Sequence, residues 1–201
     1  MSLQLFKADV LFYQRFLKAN GFYPFKLDGI WGTKTDAADQ AFVQQSKVIA
    51  QEEGVFDDRS ETNIFTLVPK AQILVREFLS VVTISNDVRI ISGTRTYSEQ
   101  DALYRKGRFG NPGPRVTNAK GGQSNHNFGL AWDIGIFDNG KYITTDKKYK
   151  DLASAVLTQL QDIEWGGNWV SFKDFPHYQL QSVSDTVAGV RELFETGNSY
   201  V

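Results

Sequence analysis

The sequence predicts an α+β protein, with a small all-helical region ahead of a small antiparallel sheet and its flanking helices. Three observations support this. Helical apolar spacing fills much of residues 4–47 and returns at 69–82, 152–160 and 183–194. Short apolar runs of strand length stand at 88–91, 130–137, 163–165 and 177–180. The second run turns at Asp138-Asn139-Gly140 into Lys141-Tyr142-Ile143, a hairpin, and a hairpin imposes antiparallel pairing.

In chain order, Val10, Tyr13 and Leu17, with Phe16 beside them, share one face of a first helix that ends near Gly21. Asp28-Gly29 marks a turn. Thr33 followed by Asp36 resembles a capping arrangement for a second helix expected to bury Ala37, Ala38, Ala41 and Phe42. The polar, acidic stretch at 51–60 reads as a linker between an N-terminal domain, 1–50, and a second domain, 61–201. Pro69 suits a first helical turn, and Ala71, Leu74, Val75, Phe78, Leu79 and Val82 form an apolar stripe behind it. Residues 108–125 hold four glycines and two prolines and read as a long loop. The run 130–137 is largely apolar on both faces, which predicts a central strand. Leu152, Val156 and Leu160 share a helical face, and Val183, Val187, Val190 and Phe194 suggest a closing helix with Gly197 just past its end.

Composition narrows the function. The 201 residues include no cysteine, which excludes thiolate metal ligands and a cysteine nucleophile. A formal net charge of −1 predicts no broad affinity for nucleic acid. No run approaches the roughly 20 apolar residues of a membrane span, so no membrane insertion is expected. The opening Met-Ser-Leu-Gln-Leu-Phe-Lys lacks the basic-then-apolar pattern of a signal peptide, which predicts folding in the cytoplasm. A monomer is the simplest expectation. Two histidines are present, which excludes any mechanism that needs three.

Those two histidines frame a candidate metal site. Trp132-Asp133-Ile134 places a carboxylate inside an apolar strand, where it needs a cation, a metal or strong donors. His126 lies seven residues earlier, after the glycine-rich loop, and a turn could bring it back towards Asp133. His177 opens a strand after Pro176, with Gln179 on the same side of that strand. Two imidazoles and one carboxylate suit a catalytic zinc with an open fourth position. A surface histidine and an arginine-paired aspartate are the plainer account of the same residues. A metal-assisted hydrolysis would also need a proton acceptor; Asp174 is the nearest candidate and Glu164 the other.

The segment Ser124-Asn125-His126-Asn127-Phe128-Gly129-Leu130-Ala131-Trp132-Asp133 resembles the Ser-x-His-x-x-Gly-x-Ala-x-Asp pattern of the D-alanyl-D-alanine carboxypeptidase and L-alanyl-D-glutamate endopeptidase superfamily. Glu164-Trp165-Gly166-Gly167, continuing to Asp174-Phe175-Pro176-His177, is similar to its second signature, and Ser92-Gly93-Thr94-Arg95-Thr96-Tyr97 to its arginine motif. The resemblance implies one Zn2+ per chain held by His126, Asp133 and His177, with Asp174 as general base and Arg95 stabilising the oxyanion. It also implies a supporting hydrogen bond from Ser124 and offers Trp165 for the cleft wall, with a place in the core as the alternative. The expected reaction is hydrolysis of the L-Ala–D-Glu bond of peptidoglycan, of the kind phage endolysins perform after release to the wall. The rivals are a D-alanyl-D-alanine carboxypeptidase and a zinc-containing wall-binding protein without catalysis.

Residues 4–44 resemble a helical peptidoglycan-binding domain, through Gln14-Arg15-Phe16-Leu17 and the core Asp28-Gly29-Ile30-Trp31-Gly32 with Thr35, Ala38 and Phe42. Val43 departs from that pattern. Trp31 and Tyr23 are the residues the resemblance offers for wall contact.

Overall fold

A computed structural model describes residues 7–201. The opening residues 1–6, where the leader expectation and the start of the N-terminal domain fall, lie outside the described residues. The chain divides into two compact units: Met1–Gln45 with Arg95–Phe128 and Ser182–Val201, and Ser46–Thr94 with Gly129–Gln181. Among the described residues no helix is long and apolar enough to cross a membrane.

The first unit is helical, built on α1 (Lys7–Ala19), the first part of α2 (Thr33–Glu53), α5 (Tyr97–Arg105) and α7 (Val187–Thr196). Buried Gln14 organises the turn between α1 and α2. Its side-chain carbonyl accepts from the Asp28 and Gly29 N–H groups (3.1 and 2.9 Å), and its amide donates to Asp28 Oδ1 (2.9 Å) and Thr35 Oγ1 (3.0 Å). Tyr13 ties the helices together by donating to Asp39 (2.7 Å). Phe12 lies against Phe194 of α7 (5.1 Å between centroids) and Tyr97 of α5 (5.5 Å), so α1 is packed within this unit on residues far along the chain. The buried stripe of α2 is Thr35, Ala38, Phe42, Ser46 and Ile49. Ala37 and Ala41, expected inside, are exposed, because each sits one position before a stripe residue, Ala38 or Phe42, and adjacent helical residues point about 100° apart. Tyr23 is buried at 2% exposure and bonds the Lys26 carbonyl, whereas Trp31 is 39% exposed and stacks on Tyr13.

The second unit holds the sheet. Its strands are β1 (Asp87–Ser92), β2 (Ala131–Asp138), β3 (Lys141–Ile143), β4 (Ile163–Trp165) and β5 (His177–Leu180). The order is β1-β2-β5-β4, with β3 on the far half of β2, and every pairing is antiparallel. β2 is central, as its largely apolar run predicts. Helix α4 (Pro69–Val82) covers one face, where Phe78 meets Tyr178 (4.8 Å) and Trp132 (6.4 Å). Helix α6 (Asp146–Val156) adds Tyr149, Leu152 and Val156 to the core and ends before Leu160. Val183, expected in the closing helix, precedes α7 and is exposed.

Helix α3 (Asp58–Ile64) occupies part of the stretch read as a linker. Asp57 caps it by accepting from the Ser60 N–H (3.1 Å). The helix satisfies the open edge of β1: Ser60 Oγ accepts from the Ile90 N–H (2.9 Å) and Asn63 donates to the Ile90 carbonyl (3.1 Å). An edge strand needs such a partner, and short polar side chains on α3 provide it.

Candidate metal centre

Strand register brings two of the three candidate ligands together. Asp133 of β2 stands directly opposite His177 of β5, and Trp132 opposite Tyr178. Side chains alternate across a strand, so Trp132, Ile134, Tyr178 and Leu180 enter the core under α4 while Asp133, His177 and Gln179 share the other face. His177 Nδ1 lies 3.2 Å from Asp133 Oδ1. Burial lowers the His177 pKa, but the Asp133 hydrogen bond and charge, aided by Gln179 and the Asp174 charge, outweigh it and leave a net rise.

His126 stands in a short 3-10 turn, Asn125–Phe128, just ahead of β2. The Ser124 backbone carbonyl closes that turn by accepting the Asn127 N–H (2.9 Å). The Arg95 N–H donates to the His126 carbonyl (3.0 Å). Buried Asn127 clamps the same region, donating to the Arg95 carbonyl (2.9 Å) and accepting from the Gly122 N–H (2.9 Å). The Arg95 guanidinium donates through Nε to Gln100 (3.0 Å), which is itself anchored on the Ala119 carbonyl (3.0 Å). Gln100 sits on α5, whose start is a full capping box of Thr96 and Glu99.

Donor atoms of His126, Asp133 and His177 all lie within 4.8 Å of one another. This set fits a catalytic zinc: two nearly buried imidazoles, a half-buried carboxylate and no thiolate, with three protein ligands leaving one position open. A carboxylate and two imidazoles withdrawn from water also favour a bound cation on energetic grounds.

Asp174 is placed by close packing on Gly166. Its N–H donates to the Gly166 carbonyl (3.1 Å), and its carbonyl accepts from the His177 N–H (3.2 Å). A Cβ on Gly166 would stand 2.5 Å from the Asp174 carbonyl oxygen, and a Cβ on Gly167 would sit 2.2 Å from the Trp165 ring. The Trp-Gly-Gly sequence is therefore a steric requirement of this loop.

Trp165 takes the core place and not the cleft wall: it is 7% exposed. It pairs across strands with Tyr178, on the opposite side from His177, and its indole N–H donates to the Phe175 carbonyl (2.8 Å). The aromatic ring beside the site is that of Trp169, 4.9 Å from the His177 ring. Sequence reading missed Trp169 and Asn127. The Thr96-x-x-Glu99 capping signature was available to reveal α5, which carries the Gln100 support for Arg95.

Residues 117–180 match the family described as D-alanyl-D-alanine carboxypeptidase. A peptidoglycan L-alanyl-D-glutamate endopeptidase of Bacillus subtilis (strain 168), CwlK, is 38% identical over 102 residues, covering 47% of this chain and 60% of that relative. The chain thus spans less than two thirds of that relative's length. The crystal structure of the Serratia marcescens L-Ala D-Glu endopeptidase ChiX aligns with a TM-score of 0.49 and 26% identity, over 65% of this chain and 92% of the other.

Proposed function

We propose that this chain, a member of the D-alanyl-D-alanine carboxypeptidase and L-alanyl-D-glutamate endopeptidase superfamily, is a zinc-dependent peptidase that cuts the L-Ala–D-Glu bond of peptidoglycan stem peptides. The observation that supports this most directly is the convergence of His126, Asp133 and His177 donor atoms within 4.8 Å. Those three residues would hold one zinc. When bound, the metal supplies Lewis acidity, acidifying a water and polarising the scissile carbonyl.

The protein's own groups complete the chemistry. Asp174 accepts the proton of the attacking water and returns it to the leaving amine nitrogen. Arg95 donates to the oxygen on which negative charge develops, a task suited to a planar group that stays charged. Its backbone link to His126 and its Nε link to Gln100 hold it ready, which limits reorganisation during the reaction. Ser124 closes the turn that presents His126. Residues 1–50 contribute contact with the wall in this reading, through the exposed Trp31 stacked on Tyr13, and the enzyme acts as an endolysin.

Digestion of purified muropeptides followed by mass spectrometry tests the reading. Cleavage between L-Ala and D-Glu leaves a fragment with a new amino terminus on D-Glu. Release of a single D-Ala would instead identify a carboxypeptidase. Zinc-loaded protein that binds wall without cutting it would identify a binding protein.

A further inference from the structure

The sheet face that carries Asp133 and His177 continues as a line of polar side chains. Gln179 lies two residues beyond His177 on β5, and Glu164 of β4 is its direct cross-strand partner. Strand alternation puts all four on the same face. The line is hydrogen-bonded throughout: His177 Nε2 lies 3.0 Å from Gln179 Oε1, and Gln179 Nε2 donates to Glu164 Oε2 (2.9 Å). The Trp169 indole N–H donates to the other Glu164 oxygen.

The direction of these bonds follows from chemistry. An ionised carboxylate only accepts, and an indole N–H only donates. Glu164 therefore faces the amide NH2 of Gln179, which turns the Gln179 carbonyl oxygen towards His177. An acceptor at that position requires a proton on His177 Nε2. The Nδ1 atom, on the Asp133 side, is then the nitrogen with a lone pair to offer.

We propose that Glu164 and Gln179 are positioning residues for His177, fixing its Nε2–H tautomer and ring orientation so that Nδ1 faces the metal. This rests on the zinc reading above. It also gives Glu164 a task other than proton transfer, which leaves Asp174 as the base. Gln179→Met removes the acceptor. Glu164→Gln removes the constraint on which end of Gln179 meets His177. The exchange variant Glu164→Gln/Gln179→Glu restores an acceptor opposite Nε2 and keeps the link to position 164.

The test uses the full-length zinc-loaded protein with 15N-labelled histidine, in which two imidazoles give readily separated NMR signals. The expected result is that His177 shows a protonated Nε2 and a metal-bound Nδ1. Zinc affinity, measured by chelator competition, should fall about 10–100-fold in Gln179→Met and Glu164→Gln. It should recover to within a few-fold in the exchange variant together with the protonated Nε2 signal of His177, a coupling that a merely structural pair would not produce. Ligation through Nε2 in the unaltered protein would overturn the proposal while leaving the zinc reading intact. Unchanged affinity and unchanged His177 signals in both single variants would also overturn it. Absence of zinc binding by the unaltered protein would defeat both readings. The spectrum of the unaltered protein decides the tautomer even if a variant fails to fold.

Discussion

Asp133 and His177 are cross-strand partners, and the pairing of β2 with β5 alone sets their side chains 3.2 Å apart. A one-residue slip in that register would send one of them into the aromatic core under α4. The sheet therefore fixes the Asp133–His177 part of the candidate metal centre.

Asp133→Ala should abolish zinc binding and all turnover, because it removes one of three donors. Metal analysis of the purified variant checks this. A full equivalent of retained zinc would show that the carboxylate is not a ligand.

Asp174→Ala should retain zinc and thermal stability while lowering kcat about 10²–10⁴-fold, the usual loss for a general base. Near-normal turnover in this variant would move the proton acceptor elsewhere.

Gly166→Ala tests the close packing that places Asp174. The added Cβ would approach the Asp174 carbonyl oxygen to 2.5 Å, so the loop must shift. We expect a clear loss of kcat with zinc still bound, measured alongside metal content. An unaltered kcat would mean that the loop accommodates the methyl group without moving Asp174.

A strong chelator should remove activity, and stoichiometric zinc should restore it. Protons compete with metal for both imidazoles, so zinc affinity should weaken as pH falls. Titration with a chromophoric chelator at several pH values measures the slope, and a flat profile would argue against histidine ligation.

Phe12→Ala should cost about 3–5 kcal/mol, because a buried ring against Phe194 and Tyr97 is removed. Deleting residues 1–50 uncovers the same two rings and is expected to leave a poorly soluble protein. A truncated chain that stays folded and loads zinc would show that residues 51–201 fold without the N-terminal region, as the acidic stretch at 51–60 suggested. Denaturant titration and metal analysis of the two proteins decide between these outcomes.

Much of this architecture is written locally. The apolar stripe from Ala71 to Val82, the turn at Asp138-Asn139-Gly140 and the largely apolar run through β2 each produce the expected element, since each depends on near neighbours in the chain. Helix α3 escaped notice because its seven residues carry little apolar signal. What stabilises it is the edge of β1, about 30 residues away. The choice between Trp165 and Trp169 was equally hidden, as both flank the same pair of glycines.

The sequence by itself determined which side chains could bind a metal: two histidines, an aspartate within an apolar strand, and no cysteine. It also determined the glycines without which the 166–174 loop cannot close. Only the tertiary structure decided which of those groups meet. Pairing register put Asp133, His177, Gln179 and Glu164 on one face and Trp165 on the other, and the Asn127 side chain joined the Arg95 segment to the His126 turn. The physical reason is that hydrogen-bond register and side-chain clamps join residues tens of positions apart, and their energies depend on partners that local sequence does not specify.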